Sequence, residues 1–204
     1  MIGHEAQKAE KLSVEYVARK QLDGVFLKEF ESLLDFFKEE QIRLPWKSIN
    51  GFKMIYKGKN IGGFTLGAGG WLDNNIEKRN YIVIHIGTAN RNDYDEYLHG
   101  QAGEITALFM DQINNKCIHC RPTCGCSRVS GRTMQVSGKR YENVCMNAPG
   151  LKFVASSDSM QTMTMCTPRA LYPPEEVRPV PLETVKKVIR ARKAYIEGIL
   201  IKEK

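Results

Sequence analysis

The stretch Tyr81-Ile82-Val83-Ile84-His85-Ile86 decides the fold, because its side chains fall into two sets at a spacing of two residues. The three isoleucines share one face of a strand, and Tyr81, Val83 and His85 share the other. The isoleucine face is typical of a strand that covers a core. We interpret His85, a single histidine on the opposite face, as a structural or solvent-facing residue.

The same period of two extends upstream of this strand. Phe52, Met54 and Tyr56 alternate with lysines, and Gly58-Lys59 offers a tight turn into a second strand over Asn60–Leu66. Further strands are expected over residues 71–76, 133–136, 139–145, 151–155 and 161–166. Because the links within 51–88 are too short for parallel crossovers, the sequence predicts an antiparallel meander.

Helical patterns flank the predicted strands. Residues 25–41 carry large apolar side chains at helical spacing, and residues 5–22, residues 92–114 and a segment from about Leu182 repeat the pattern more weakly. Residues 168–181, rich in proline, are expected to form an extended connector. The fold class is therefore α+β: an antiparallel sheet packed against helices, with a C-terminal helix. We divide the chain into an N-terminal helical extension, 1–24, and one domain, 25–204.

Composition sets the broad class. The chain has 204 residues, of which 42% are hydrophobic and 26% are charged, as in a globular protein with a core of its own. The first residues lack the pattern of a signal peptide, and no apolar run approaches the roughly 20 residues that span a bilayer. We therefore expect a cytoplasmic protein without a membrane segment. A net charge of +7 and a pI near 9.1 suit an anionic or nucleic-acid partner.

The run Cys117-Ile118-His119-Cys120-Arg121-Pro122-Thr123-Cys124-Gly125-Cys126 contains four of the six cysteines. Cys145 and Cys166 follow it. Thiolates at this density in a reducing compartment indicate a metal site rather than disulfides. The two-residue spacing between Cys117 and Cys120 is that of a zinc knuckle, in which a tight turn presents two sulfurs to one tetrahedral ion. The sequence thus predicts a cysteine-rich, metal-binding insert over residues 115–146.

A closed zinc site needs four ligands, and we expect them to be Cys117, Cys120, Cys124 and Cys145, the last brought in by a hairpin. Cys126 is the alternative to Cys124, and His119 is a reserve ligand. Zinc suits these thiolates, and an iron–sulfur cluster is the alternative cofactor, although the spacing matches neither ferredoxin pattern.

The cysteine run followed by Val136-Ser137-Gly138-Lys139-Arg140-Tyr141-Glu142-Asn143-Val144-Cys145 resembles a group of small, uncharacterised bacterial cysteine-cluster proteins. The segments Tyr56–Ile61 and Val185–Ile189 also resemble a hairpin and a closing helix of that group. The resemblance covers roughly residues 25–200. It implies that Cys145 belongs with the upstream cysteines, and it implies no activity.

The predicted insert is basic. No acidic residue lies between Asp111 and Glu142, while the segment carries Arg121, Arg128, Arg132, Lys139 and Arg140. These cations could contact a phosphate backbone, or they could offset the negative charge of a zinc tetrathiolate and lower the pKa of its thiols.

Three functions follow. The first is a non-catalytic domain in which structural zinc fixes a surface for a small molecule or a protein. The second is a thiol-based redox or metal-handling protein, which the two remaining cysteines would serve. The third is nucleic-acid binding through the basic insert. No catalytic residues can be assigned, and enzymatic catalysis has the least support.

Overall fold

The computed structural model describes residues 10–67, 80–87, 103–114, 132–136, 138–144, 151–156, 160–166 and 178–202. In these ranges the helices are α1 (Val14–Gln21), α2 (Gly24–Glu39), α3 (Gly103–Asn114) and α4 (Leu182–Lys202). The strands are β1 (Trp46–Ser48), β2 (Gly51–Tyr56), β3 (Lys59–Leu66), β4 (Tyr81–Ile86), β5 (Arg132–Val136), β6 (Lys139–Val144), β7 (Leu151–Ser156), β8 (Thr162–Cys166) and β9 (Arg178–Pro181).

Seven strands form one antiparallel sheet in the order β1-β2-β3-β4-β7-β8-β9. The strand of alternating isoleucines, β4, lies at its centre, where Ile84 pairs with Phe64 on one side and Phe153 on the other. The remaining strands, β5 and β6, form a separate hairpin. The antiparallel α+β prediction is confirmed for this part of the chain.

One face of the sheet is covered by helices, and we call it the inner face. The isoleucines of β4 are fully buried there, together with Phe30, Leu33 and Phe37 of α2. Phe64 packs between these helical rings, stacked on Phe37 at 5.8 Å between centroids and edge-on to Phe30 at 5.6 Å. Each buried side chain of this size contributes about 1.5–3 kcal/mol through the area it removes from water. The apolar stripe of α2 is therefore a core stripe.

Helix α1 joins the same core. Its N-cap is Ser13, whose hydroxyl oxygen accepts the Tyr16 backbone N–H at 3.2 Å, and its buried side chains include Val17 and Ala18. The described part of the predicted N-terminal helix thus packs on the sheet's helical layer, and residues 1–9 lie outside the described ranges.

The closing helix α4 begins where the sequence placed it, at Leu182. Val185, Val188, Ile189 and Ile196 bury its apolar stripe against the core. Polar contacts also fix it: Tyr56 of β2 donates a hydrogen bond to Glu197, whose carboxylate also accepts from Lys57 at 3.3 Å. This helix connects the far edge of the sheet back to its centre.

Three local features differ from the sequence prediction. The β2–β3 turn is Lys57-Gly58, one residue earlier than expected. The tight turn that suits twisted strands needs positive φ at both of its central residues, and these two have φ of 45° and 78°. Residues 178–181 of the predicted connector form the edge strand β9, where Pro179 and Pro181 need no backbone donor. The short strand β1 was not predicted.

Other predictions fall outside the described residues, including the strand over 71–76 and most of the cysteine-rich insert. Among the described helices, none is both long enough and apolar enough to cross a bilayer.

Candidate metal centre and its surroundings

The hairpin β5–β6 forms as predicted. Val136 pairs with Lys139 across a two-residue turn in which Gly138 has a φ of 74°, and Met134 pairs with Tyr141 further along. The ladder ends at the pair of Arg132 and Val144.

That last pair has a direct consequence for the cysteines. Directly opposed residues of an antiparallel pair lie about 4.5–5.5 Å apart between Cα atoms. Cys145 follows Val144 in the chain, and Cys126 precedes Arg132 by six positions. The segment that carries the cysteine run and the segment that carries Cys145 therefore leave the hairpin from neighbouring points.

Helix α3 leads the chain into the cysteine run from the other side. It contacts β6, β7 and α4, and its Ile105, Leu108 and Phe109 are buried in the core. Thr184 of α4 donates a hydrogen bond to Glu104 at 2.5 Å, which ties the start of α3 to the start of α4. The helix ends at Asn114, three positions before Cys117. The chain thus enters the cysteine run from an element that contacts the hairpin.

The hairpin is also joined to the core. Tyr141 is half-buried and packs against the core cluster, while Lys139 lies 5.4 Å above its ring. Arg140 forms an ion pair with Glu142 at 3.0 Å, and both side chains are largely exposed. An exposed pair of this kind contributes little stability. Of the predicted basic residues, Lys139 and Arg140 therefore lie on the outside of the hairpin.

The remaining predicted site residues can be placed as follows. Arg132 is the first residue of β5. Cys166 is the last residue of β8, opposite Lys152 of β7. Within the described ranges, no group of three or more His, Cys, Asp or Glu side chains gathers. The other predicted site residues lie outside those ranges: Cys117, His119, Cys120, Arg121, Cys124, Cys126, Arg128 and Cys145.

The structure also brings together residues that the sequence analysis did not associate. Lys53, Gly63, His85 and Lys152 are successive partners across β2, β3, β4 and β7, so they form one row on the face of the sheet opposite the helices. The pKa of His85 is lowered from its usual value, first by partial desolvation and then by the positive charges of Lys47 and Lys152. The sequence leaves His85 as either structural or solvent-facing, and the structure shows its side chain exposed on this face.

A sequence signal for this face exists. The seven strands of the sheet include Lys47, Lys53, Lys59, Lys152 and Arg178, but they contain no Asp or Glu. The register that brings Lys53 and Lys152 onto one row with His85 could not be derived from the sequence, because long connections separate β3 from β4 and β4 from β7.

Comparisons with family models, with curated proteins and with solved structures find no match for this chain. Its function is therefore inferred from its own residues.

Proposed function

We propose that this chain is a zinc-binding, non-catalytic domain of the cytoplasm, in which Cys117, Cys120, Cys124 and Cys145 hold one structural Zn²⁺. The observation that supports the proposal most is the pairing of Arg132 with Val144, which starts both cysteine-bearing segments from adjacent positions. Cys145 needs to reach only one residue beyond this pair to stand beside the incoming segment.

The chain lengths suit such a site. Eight positions separate Cys124 from Arg132, and an extended chain covers about 3.3–3.6 Å per residue, so this segment has ample length to fold back on the hairpin. Cys117 and Cys120 would bind from one tight turn. Four thiolates around Zn²⁺ leave a net negative charge, and the basic residues of the insert would offset it and favour the deprotonated thiols.

A structural role follows from the architecture of the hairpin. Two strands alone are at best marginally stable, and β5–β6 has no partner strand in the large sheet. A metal bound near the open end of the ladder, where Arg132 pairs with Val144, would contribute its binding free energy to folding, about 10–16 kcal/mol for structural zinc sites. The zinc would hold the hairpin against α3, and the exposed Lys139 and Arg140 would belong to the surface offered to a small molecule or a protein.

The test is metal content measured by mass spectrometry on the protein purified under reducing conditions. We expect one zinc per chain. The matched variants are Cys145→Ser, which should lose the metal, and Cys166→Ser, which should retain it, because Cys166 belongs to β8 of the large sheet. Cys124→Ser and Cys126→Ser, compared in the same way, identify the third ligand.

Other outcomes separate the alternatives. Full zinc retention in Cys145→Ser would contradict the proposed ligand set, and an absence of metal from all forms would contradict the proposal. Visible absorbance with bound iron would replace zinc by an iron–sulfur cluster. Reversible loss of free thiols with release of zinc under mild oxidant would support a redox or metal-handling function instead.

A further inference from the structure

The face of the sheet opposite the helices, which we call the outer face, has its own chemistry. Its central residues come from β2, β3, β4 and β7, and they remain exposed or half-buried in the folded chain. They are Lys53, Gly63, Thr65, Val83, His85, Lys152 and Val154. The face therefore combines basic side chains with small apolar and hydroxyl groups.

The positive charge on the outer face is not compensated by the sheet itself, because its strands carry no carboxylate. Lys47, Lys53 and Lys152 form no ion pair in the part of the chain that the structure describes. The cations of α4 behave differently: Lys187 pairs with Glu104, and Arg190 pairs with Glu40. Among the described residues, the cations of α4 are thus paired with carboxylates, whereas the lysines of the outer face are not.

His85 lies between the lysines of the row. Its pKa is lowered first by partial desolvation and then by the positive charges of Lys47 and Lys152. Within the described residues, the charges nearest the centre of the outer face are therefore positive. A positive, solvent-accessible surface attracts polyanions.

The dimensions suit an extended chain of phosphates. Strand spacing of about 4.8 Å makes the row from Lys53 to Lys152 about 14 Å long, and the whole seven-stranded sheet about 29 Å wide. Gly63 interrupts the row with a position that has no side chain, because an added Cβ would lie 2.6 Å from the Phe52 carbonyl oxygen. The close approach of β2 to β3 therefore explains the glycine, and the basic side chains of the row lie on either side of it.

We propose that the outer face binds the phosphate backbone of single-stranded nucleic acid. Lysines spaced across a sheet face can contact the backbone of a flexible nucleic-acid strand. Tyr81, the first residue of β4, is the one Phe, Tyr or Trp in β4, so we expect little base preference. A membrane surface fits less well, because interfacial binding uses large apolar side chains, and the described outer-face residues include no exposed Trp, Phe or Leu.

The test is fluorescence anisotropy with a labelled short oligothymidylate and a labelled oligouridylate at several salt concentrations. Three or four phosphate contacts give a log–log salt slope of about −2 to −3, so binding should weaken about 20- to 50-fold between about 50 and 200 mM salt. In Lys53→Gln/Lys152→Gln the slope should fall by about 1.4, and affinity near 0.1 M salt should fall about 25-fold, since each contact contributes about five-fold there.

The matched control is Arg19→Gln/Lys28→Gln, which removes the same charge from exposed positions on α1 and α2. It should bind like the unaltered chain. A circular dichroism melt of each variant verifies that the sheet is folded. Equal losses in the control and the outer-face variant would overturn the proposal, because net charge alone would then explain binding.

One further variant and one further ligand, measured in binding experiments, locate the site and identify the ligand class. Lys139→Gln/Arg140→Gln should leave binding intact, and a loss confined to that variant would move the site to the hairpin. Binding to phosphatidylserine vesicles without binding to either oligonucleotide would also overturn the proposal. The zinc hypothesis is tested separately, because chelator-treated protein should still bind the oligonucleotides through its sheet.

Discussion

Replacing Glu40 by Gln tests how α4 is held in place. Glu40 follows the end of α2, and its side chain is only 15% exposed. Arg190 donates to one carboxylate oxygen at 2.6 Å, and Lys193 donates to the other at 2.8 Å. The change removes the negative charge and retains the shape, but an amide NH2 group, which is a donor, replaces one of the two oxygens that accept from the cations.

The expected loss in free energy of unfolding is about 2 kcal/mol. Hydrogen bonds to charged groups contribute about 1.5–3 kcal/mol each, and the Arg190 bond is discounted because that side chain is half exposed. For a chain of this size the melting temperature should fall by about 4–8 °C. Urea unfolding at neutral pH, followed by circular dichroism, measures the free energy directly.

The control is Asp35→Asn, which breaks the pair with Lys38. Both of those side chains are about two-thirds exposed, so the loss should stay below about 0.5 kcal/mol. Equal losses in Glu40→Gln and Asp35→Asn would refute the assignment of α4 docking to this network.

The pH dependence provides a second check. Hydrogen bonds from Lys193 and Arg190 lower the pKa of Glu40 below its usual value of 4.5. Its contribution is therefore complete above the pKa of the unfolded chain and is lost as pH falls through the lower pKa of the fold. The difference between the unaltered chain and Glu40→Gln should shrink in acid. A difference that stays constant down to the acid transition would contradict this explanation.

Three further predictions concern the sheet and the hairpin. Gly62→Ala should lower the free energy of unfolding in urea by about 3 kcal/mol or more, because Gly62 has a φ of 155° and the new Cβ would overlap the His85 carbonyl oxygen. Gly58→Ala, where nothing lies within 4 Å of the new Cβ, should lower it by only about 1 kcal/mol. A chelator should speed hydrogen exchange in β5–β6 and leave β4 protected, as followed by mass spectrometry; equal exchange with and without the chelator would argue against zinc in the hairpin. Acidification through pH 6.5 should destabilise the unaltered chain relative to His85→Gln, because desolvation and then the charges of Lys47 and Lys152 keep the folded-state pKa of the imidazole below its unfolded value. Thermal melts in which the two chains differ equally above and below this pH would count against the explanation.

Much of the fold could be predicted from the sequence where local pattern and tertiary burial agree. The strand Tyr81–Ile86 forms at the expected residues because the isoleucines that mark its pattern are the residues that the helices bury. The stripe of α2 and the hairpin around Gly138 follow the same logic. In each case one face or one turn decides the conformation.

The missed elements lack such local marks. The edge strand β9 consists of Arg178–Pro181, and its prolines normally argue against a strand, but at the edge their missing N–H groups are not needed. The strand β1 has three residues, too few to show a period. Tertiary pairing with β8 and β2 determines both.

The two candidate sites also differ in how far the local sequence pattern determines them. Spacing alone suggests zinc ligands within the cysteine run, whereas the inclusion of Cys145 depends on a hairpin that the sequence predicts and the structure forms. The row of Lys53, His85 and Lys152 depends on a register across strands that are distant in sequence. Sequence periodicity assigns each residue to a face of its own strand, but it cannot align separate strands.

The zinc K-edge X-ray absorption spectrum of the purified, reduced protein tests the central claim most directly. Coordination by Cys117, Cys120, Cys124 and Cys145 predicts a shell of four sulfurs at about 2.3 Å, and this shell should disappear in Cys145→Ser. A first shell of nitrogen or oxygen at about 2.0–2.2 Å would contradict the site, as would a sulfur shell unchanged by loss of the Cys145 thiol.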